Sequence, residues 1–425
     1  MENILIFGVN TRAEVNSAKK LDYNVYSSSY FTCSDFPEGV WEKHILNEEV
    51  DTSCGSFENM FTSEKLLENA EDYLDNADLI ILCSGISGDD FRGKFKKYQK
   101  KIVGNKSTKN INDKYKFYNK IKNKFLSPHT TLVNDIDELV EILKGHDEIQ
   151  FIIKPNQGSG GYNTLLLDYD TYIKDNYMKN LIENMFNSLD EIILQEYISG
   201  INISSSVLSS SSDAKTIINT RLLSQNDLGF SEDYRYCGNI LPLDIKSLEV
   251  LNKYTIAHDE IGVKELNEDI CQFSEEIIKD CGLIGSNGVD LILSDKEEEN
   301  ILNNDLYLIE VNPRFQGTYE CVEKVLSINL LKEHINACNG EIISEVNPKG
   351  YGIKEIIYAP YKLKQGNLNK EGLYDISKEG TIIEKNEPLI TIIQETNNVK
   401  KGLKKINNLK EYLNSNIYRH FQKLM

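Results

Sequence analysis

The first hundred residues alternate compact apolar runs with polar stretches. Residues 3–8 (NILIFG) and 78–83 (DLIILC) have the length and composition typical of buried strands. The pattern further predicts a helix over 11–21, a strand over 24–28 and a short last strand over 101–104. Strands that alternate with helices predict a parallel sheet covered by helices, so we expect a Rossmann-like α/β domain here. The loop after the first strand reads GVNTR rather than GxGxxG, which argues against a dinucleotide site.

The remainder of the chain predicts strands and helices in mixed order. The central strands are expected at 150–154, 163–167, 192–196, 204–208, 288–293 and 306–311. Beyond about residue 346 the chain shows short strands broken by Gly and Pro, followed by an amphipathic helix over 399–413. We therefore predict an α/β and α+β multidomain fold, with an N-terminal α/β domain (1–110), a central domain (111–345) and a small β-rich C-terminal domain (346–425).

Composition and charge narrow the class of protein. The 425 residues are 40% hydrophobic and 27% charged, as in ordinary globular proteins, and the formal net charge is −19. A chain this acidic is a poor partner for nucleic acid, because phosphates would be repelled. The eight cysteines form no CxxC pair, and no apolar run is long enough for a leader or a membrane helix. These features predict reduced thiols, no membrane partner and a cytoplasmic location.

A lysine at the end of a buried strand precedes a glycine-rich loop. The sequence FIIKPNQGSGG places Lys154 on the strand and Gly158, Ser159, Gly160 and Gly161 in the loop. A strand-borne ammonium is a fixed positive charge, and glycines let main-chain N–H groups approach phosphate oxygens. A plain hairpin turn is the alternative interpretation. The buried lysine favours phosphate binding, because lysines are rarely buried without a partner.

A second apolar strand ends in Gln195 and Glu196, followed by Tyr197, Ile198 and a turn at Gly200. The end of a strand that lines a cleft can offer main-chain N–H and C=O groups to the edge of an adenine ring. An ordinary strand followed by a turn explains the same pattern.

Three oxygen-bearing side chains interrupt two apolar strands that should pair as a hairpin. Asp290 lies in GVDLIL, whereas Glu310 and Asn312 lie two apart in LYLIEVNPR and so share one face. Carboxylate and amide oxygens with open positions suit Mg²⁺, which keeps water and takes phosphate oxygens from a nucleotide. Carboxylates on apolar strands would be costly without such a cation. The alternative is local pairing with Arg314.

The order of these motifs resembles that of the ATP-grasp superfamily. The matching elements are KPxxGSGG, QEYIxG, GVD and EVNPR, and they are specific in combination rather than singly. More closely, the chain looks like predicted ATP-dependent carboligases related to biotin carboxylase. This resemblance implies a pre-ATP-grasp N-terminal domain, a central ATP-grasp domain, and the use of ATP with Mg²⁺, or Mn²⁺ in its place.

The resemblance also implies a role for each matching residue. Lys154 and the earlier Lys114 would contact nucleotide phosphate, although a solvated lysine is the alternative for Lys114. Gly158 to Gly161 would close over the phosphates, and Gln195 to Ile198 would form the hinge beside adenine.

The remaining matches concern the metal and the reacting groups. Asp290, Glu310 and Asn312 would hold magnesium, and Arg314 would lie near the reacting phosphate or carboxylate. Many relatives carry an acidic residue for ribose just after the hinge glycine, but this chain reads GINIS over 200–204. The sequence also shows no counterpart of the bicarbonate-handling residues of biotin carboxylase.

Two further arginines are candidates for holding the acceptor or an acyl-phosphate. A guanidinium binds a carboxylate in bidentate fashion, so Arg221 and Arg235 are predicted to contribute, with a surface arginine as the alternative for each. Substrate specificity is expected in the loops at 8–12 and 84–90 and in the region 221–242.

The function expected from these residues is that of a carboxylate–amine ligase. The carboxylate would attack the γ-phosphate of ATP, and an amine would then attack the acyl-phosphate, releasing ADP and phosphate. The partners would be a small-molecule carboxylate and amine, and the resemblance allows a homodimer. A biotin-carboxylase-like reaction with bicarbonate and a nucleotide-binding module without catalysis are the alternatives.

Overall fold

The structure is a computed structural model. It describes residues 1–46, 50–53, 55, 57–158, 160–189, 191–224, 234–249, 260–294, 297–298, 301–302 and 305–421.

The strands and helices of these residues are numbered in chain order. The strands are β1 (Asn3–Gly8), β2 (Asn24–Ser29), β3 (Trp41–His44), β4 (Leu79–Leu82), β5 (Thr130–Val133), β6 (Phe151–Pro155), β7 (Leu165–Leu167), β8 (Ile192–Glu196), β9 (Gly200–Ser209), β10 (Ala214–Ser224), β11 (Tyr236–Leu241), β12 (Gly285–Ser294), β13 (Glu297–Glu298), β14 (Ile301–Leu302), β15 (Leu306–Asn312), β16 (Tyr351–Tyr358), β17 (Leu363–Lys364), β18 (Leu373–Tyr374), β19 (Ile382–Ile383) and β20 (Pro388–Thr396). The helices are α1 (Arg12–Ala18), α2 (Phe57–Met60), α3 (Ser63–Asn69), α4 (Glu71–Leu74), α5 (Lys109–Asn112), α6 (Lys114–Ile121), α7 (Ile136–Gly145), α8 (Tyr169–Lys174), α9 (Asn176–Ser188), α10 (Ile245–Glu249), α11 (Glu260–Cys281), α12 (Tyr319–Leu326), α13 (Leu330–Cys338) and α14 (Val399–Phe421).

The N-terminal residues form the parallel sheet that their apolar runs predict. Its strand order is β3-β2-β1-β4, with β1 parallel to both β2 and β4. The predicted last strand over 101–104 is wrong. Residues Gly93–Lys101 form 3₁₀ turns, and Ile102 makes only an isolated bridge to Ile80. The chain leaves the sheet at once, because Gly104 adopts a φ of 118° that turns it away.

Two larger antiparallel sheets follow and face each other across the candidate site, and β13-β14 and β17-β19 form two small two-stranded sheets. Of the two facing sheets, the smaller one has the order β5-β8-β6-β7 and carries the Lys154 strand. The larger one has the order β15-β12-β9-β10-β11-β16-β20-β18. Helix α11 packs on β9 and β10, and α14 packs on β16 and β20. This arrangement confirms a mixed α/β multidomain fold.

The larger sheet crosses the predicted boundary at residue 345. Strands β16, β18 and β20 come from the C-terminal segment, and β16 pairs directly with β11 of the central segment. The domain boundaries at 110 and 345 stay predictions. None of the helices in the described residues combines the length and apolarity that a membrane crossing requires.

Arg12 connects the three segments of the chain. Its guanidinium, 2% exposed, donates to both carboxylate oxygens of Glu320 at 2.9 and 2.8 Å and to Asp375 at 2.7 Å. Glu320 lies on α12, and Asp375 directly follows β18. The bidentate pair with Glu320 fixes the orientation of the guanidinium plane as well as its position. Arg12 therefore sets the geometry of the junction at which the segments meet.

His334 on α13 forms a second connection between segments. Its Nδ1 accepts a hydrogen bond from Ser286 N at 2.8 Å, so Nε2 carries the hydrogen and faces Val103 O at 3.1 Å. The neutral ring satisfies both contacts. Burial lowers the pKa of His334 to about 4, because the charged form would lose its hydration and its Nδ1 would face another N–H group.

We expect this histidine to weaken the fold in acid. The unfolded chain binds the proton near pH 6.5 and the folded chain near 4, so stability falls as pH drops through this window. The shift corresponds to a loss on the order of 3 kcal/mol. Thermal unfolding between pH 4 and 8 should show a steeper decline for the wild type than for His334→Gln. The exposed-site control His146→Gln should follow the wild type, and parallel curves for all three proteins would refute this expectation.

Candidate active site

A cavity of about 580 Å³ lies between the two antiparallel sheets and reaches the N-terminal segment. Its walls carry almost all the residues predicted from the motifs. These are Lys114, Lys154, Gly158, Gly160, Gly161, Gln195, Glu196, Tyr197, Ile198, Asp290, Glu310, Asn312 and Arg314. Ser159 lies outside the described residues. The fold thus gathers side chains that are up to two hundred positions apart in the sequence.

Lys154 is held in place by a chain of hydrogen bonds. Its Nζ donates to Gln195 Oε1 at 2.8 Å, and Gln195 Nε2 donates to the Thr130 hydroxyl at 2.9 Å. Lys154 is 8% exposed, and burial lowers its pKa to about 8, with the nearby positive charge of Lys114 acting in the same direction. No carboxylate within the described ranges forms an ion pair with this ammonium, which suits the binding of an anion.

Lys114 enters the cavity from the first turn of α6. Its Nζ donates to Gly158 O at 2.7 Å and lies 3.9 Å from a Glu310 oxygen. Asn156 sets this position, because its side chain accepts from Tyr115 N at 2.9 Å and donates to Asp113 at 3.0 Å. Lys114 is therefore a constrained residue of the cavity wall rather than a solvated lysine.

The glycine-rich loop rests against the start of β11. Gly160 O accepts from Tyr236 N at 3.1 Å, and a Cβ on Gly161 would lie 2.4 Å from Tyr234 O. Gly160 and Gly161 have φ values of 73° and 76°, a region that side chains disfavour. The close approach and the backbone conformation both require glycine at position 161.

An apolar slot lies at the hinge end of the cavity. It is lined by Ile152, Ile198, Leu291 and Ile309 together with residues 195–197. Ligand pockets are lined mainly by such apolar side chains, which suits a purine ring. Asn202, two residues after the hinge glycine, also lines the cavity where relatives are expected to carry an acidic residue.

The predicted hairpin brings the three metal-ligand candidates together. Strands β12 and β15 pair antiparallel, with Asp290 opposite Glu310 and Gly288 opposite Asn312. Asn312 Nδ2 donates to Asp290 Oδ2 at 2.8 Å and lies 3.4 Å from Glu310 Oε1. The Ser204 hydroxyl donates to the other Asp290 oxygen at 2.5 Å.

The electrostatics of this group favour a divalent cation. Burial raises the pKa of Asp290 to about 7, and the neighbouring negative charge of Glu310 adds to the shift. Burial also opposes ionisation of Glu310, yet Lys114, Lys154 and Arg314 hold its pKa below the ordinary value. Two carboxylates and one amide supply hard oxygen ligands and leave positions for water and phosphate, as Mg²⁺ requires. Within the described residues, no group of three or more His, Cys, Asp and Glu side chains could hold a metal.

Arg314 completes the positive side of the cavity. Its guanidinium donates to Asn312 Oδ1 at 2.9 Å and to Phe315 O at 3.0 Å. Burial lowers its pKa, whereas the charges of Glu310 and Asp290 oppose that shift. These hydrogen bonds of Arg314 go to an amide and a carbonyl, and among the described residues no carboxylate forms an ion pair with it.

The two arginines predicted near the acceptor lie outside the cavity lining. Arg221 is 1% exposed, and its Nη1 donates to the main-chain oxygens of Ser247 and Leu248 at 3.0 and 2.5 Å. Alternate side chains of a strand point to opposite faces, so the neighbouring Leu222 lines the cavity instead. This position argues against the catalytic role predicted for Arg221, which fastens α10 to β10.

Arg235 lies behind the glycine-rich loop. Its guanidinium is 4.6 Å from the ring centre of Tyr358 and 5.7 Å from that of Tyr162, and it donates to Asn386 O at 2.7 Å. It therefore joins the loop to the C-terminal segment rather than lining the acceptor space predicted for it.

Sequence reasoning missed Asn156 and Ser204, which hold the start of α6 and bind Asp290. It placed Gln195 in the hinge beside adenine but did not foresee that its side chain holds Lys154. Each is a polar residue on or next to a buried strand, and that pattern was the available signal. Their partners lie far away in the sequence, so the pairing itself was not visible.

The central part of the chain matches a known family. Residues 111–318 match the family model of the ATP-grasp domain. This part of the chain is an ATP-grasp domain. An uncharacterised protein of Methanocaldococcus jannaschii is 29% identical over 398 residues, covering 92% of this chain and 88% of that protein.

Several solved structures share the fold at low identity. The biotin carboxylase domain of Hydrogenobacter thermophilus 2-oxoglutarate carboxylase, solved with MgADP, ADP and bicarbonate, aligns with a TM-score of 0.67 and 14% identity over 96% of this chain and 89% of its own. Phosphoribosylamine–glycine ligase of Thermotoga maritima aligns with a TM-score of 0.64 and 15% identity over 96% of both chains. Pyruvate carboxylase of Rhizobium etli aligns at 0.67 with 14% identity over 96% of this chain, which spans 37% of the length of that protein. Identities this low show the shared fold alone.

We expect Gln195 to be required for the burial of Lys154. Gln195→Leu removes the acceptor of the ammonium and should lower the free energy of unfolding by about 1–3 kcal/mol, as measured by urea denaturation. Gln195→Glu keeps an acceptor and adds an opposite charge, so it should retain stability and raise the pKa of Lys154. Equal unfolding midpoints for the wild type and the leucine variant would contradict this assignment.

Proposed function

We propose that this protein is an ATP- and magnesium-dependent ligase that activates a carboxylate as an acyl-phosphate and transfers it to an amine. The observation that carries the proposal is the convergence of Lys114, Lys154 and Arg314 around Glu310 within one cavity. Three cations that share so few carboxylates need further negative charge to be stable. A nucleotide triphosphate supplies that charge.

Different residues of the cavity would bind different parts of the nucleotide. The apolar slot takes the adenine, while Lys154 and Lys114 bind phosphate oxygens together with the main-chain N–H groups of the glycine-rich loop. Asp290, Glu310 and Asn312 would hold magnesium, which supplies charge neutralisation at the phosphates when bound. MgADP in the structurally similar carboxylase domain supports this part of the proposal.

Arg314 lies where the γ-phosphate end of the nucleotide meets the rest of the cavity. Its guanidinium, fixed by Asn312, can stabilise the charge that develops as a carboxylate oxygen attacks phosphorus. The acyl-phosphate formed there would face the part of the cavity that leads towards Arg12. An amine arriving from that side attacks the carbonyl carbon, and phosphate leaves.

The choice of an amine rests on fold-level support and on the shape of the cavity. Phosphoribosylamine–glycine ligase, one of the similar structures, joins partners that its name identifies as an amine and an amino acid. The cavity continues past Arg314 to a polar end, which provides room for a second substrate. We further propose that the protein forms a homodimer and lies in the cytoplasm.

The proposal is tested by ADP release. Thermal shift with ATP and Mg²⁺ first identifies binding conditions, and pooled carboxylates and amines are then screened for substrate-dependent ADP and phosphate. Bicarbonate-free buffer and added bicarbonate form a separate arm. AMP and pyrophosphate as products would exclude the acyl-phosphate route, and turnover that requires bicarbonate would favour carboxylation instead.

Glu310 provides the sharpest test of the metal site. Glu310→Gln removes a negative ligand, so we expect kcat for ADP release to fall by about 10²-fold or more, with partial recovery at high Mg²⁺ or Mn²⁺. Asp305→Asn, an exposed carboxylate just before the same strand, is the matched control and should keep full activity. Full activity of the Glu310 variant would refute the assignment.

A further inference from the structure

The cavity has a second charged region beyond Arg314, which we name the Arg12 end. It is lined by Asn10, Arg12, Glu14, Glu320, Lys354 and Asp375. The two cations in this region already have carboxylate partners. Arg12 binds Glu320 and Asp375, and Lys354 lies 3.8 Å from Glu320 and donates to Gly317 O at 3.1 Å.

Glu14 is the carboxylate of the Arg12 end that pairs with neither of these two cations. It is 7% exposed and lines the cavity. Its hydrogen-bond partners are its own main-chain N–H and the Cys83 thiol, and no Lys or Arg forms an ion pair with it among the described residues. Burial raises the pKa of Glu14 to about 7 and the nearby charge of Glu320 adds to the shift, whereas the charges of Lys354 and Arg12 oppose it. A buried carboxylate without an ion pair is costly unless a ligand supplies a cation.

Glu14 lies within electrostatic range of Arg314. Burial lowers the pKa of Arg314, and the charge of Glu14 is among those that oppose this shift. Titratable and charged side chains surround Glu14 on several elements. They lie on α1, α12 and β16 and just after β4 and β15. They are Arg12, Cys83, Arg314, Tyr319, Glu320 and Lys354.

We propose that the acceptor is a cationic amine whose ammonium group binds to Glu14 at the Arg12 end, and that Glu14 accepts its proton. This inference rests on the proposed ligase function. The ammonium gives one proton to the Glu14 carboxylate and becomes a neutral amine. The amine nitrogen forms a bond to the acyl carbon, the bond from that carbon to the phosphate oxygen breaks, and the second amine proton leaves with phosphate. Glu14 then returns its proton to water.

The chemistry of Glu14 matches this role. A general base is most effective when its pKa lies near the working pH, and such a group contributes about 10²–10⁴-fold to a rate. The negative charge of Glu14 also favours binding of a cation over an anion at the Arg12 end. The carboxylate substrate would therefore bind on the Arg314 side.

Binding of simple probes tests the site without knowledge of the natural substrates. The MgADP-loaded protein is titrated with n-butylammonium and with n-butyrate, followed by ligand-observed NMR and calorimetry. We expect n-butylammonium to bind more tightly than n-butyrate, with an affinity that rises between pH 6 and 8 as Glu14 ionises. Glu14→Gln should weaken n-butylammonium binding at least about tenfold, a loss of the order of 1.4 kcal/mol.

The matched control is Glu323→Gln. Glu323 is another carboxylate against α1, bound by the Ser17 hydroxyl and Leu330 N, and it does not line the cavity. MgADP affinity and thermal unfolding report whether each variant folds, and Glu14→Asp keeps the charge if glutamine perturbs the fold. Absence of n-butylammonium binding to the wild type, tighter n-butyrate binding, or an unchanged affinity in Glu14→Gln would each overturn the inference.

A trapping experiment separates this inference from the ligase function. Hydroxylamine is largely neutral at pH 7.5 and converts an acyl-phosphate to a hydroxamate without a base. With an acid found in the ADP screen, wild type and Glu14→Gln should form hydroxamate at similar rates, whereas transfer to the amine should fall about 10²-fold in the variant. If no acid yields hydroxamate, the ligase function fails while the probe binding still decides the Glu14 site. If Glu14→Gln transfers to the amine at the wild-type rate, the assignment of Glu14 fails alone.

Discussion

The buried guanidinium of Arg12 between Glu320 and Asp375 is the contact on which the geometry of the cavity depends. A charge removed from water is tolerated only with well-placed partners, and these come from two segments more than three hundred residues away. Because each partner also lines the cavity, the same contacts that join the segments set the charge at one end of it. Loss of Glu320 would remove the bidentate contact that orients the guanidinium, although Asp375 and Asp35 would still lie close to its charge.

At the phosphate end of the cavity the buried cations are held in a different way from Arg12. Lys154, Lys114 and Arg314 are fixed largely by neutral groups, namely an amide side chain and main-chain carbonyls. Their positive charge is therefore left available, and Glu310 alone cannot neutralise it. The protein holds this arrangement through packing and hydrogen bonds, so that a polyanionic ligand finds charges already in place. Glu14 presents the reverse case at the other end, a buried carboxylate that forms no ion pair with a Lys or Arg of the described residues.

Predictions from the sequence agreed with the structure where they depended on neighbouring residues, and less well where they depended on residues far apart in the chain. The apolar runs at β1, β4, β8, β12 and β15 predicted those strands within a few residues, because a run of buried side chains is a local property. The short strand expected over 101–104 failed, since a single bridge to Ile80 and the turn at Gly104 ended it. The role predicted for Arg221 depended on which face of the strand its guanidinium occupies. The sequence showed a strand at this position but did not show that face.

The sequence by itself determined the element types, the ATP-grasp motifs and the spacing that brings Asp290, Glu310 and Asn312 onto facing strands. These follow from local periodicity and from residue chemistry within one hairpin. Only the tertiary structure decided that Gln195 anchors Lys154, that Arg221 and Arg235 lie outside the cavity, and that Glu14 forms no ion pair within the described part of the chain. Those outcomes depend on which distant segments pack together, because the solvation and the partners of a charged group are set by neighbours in space.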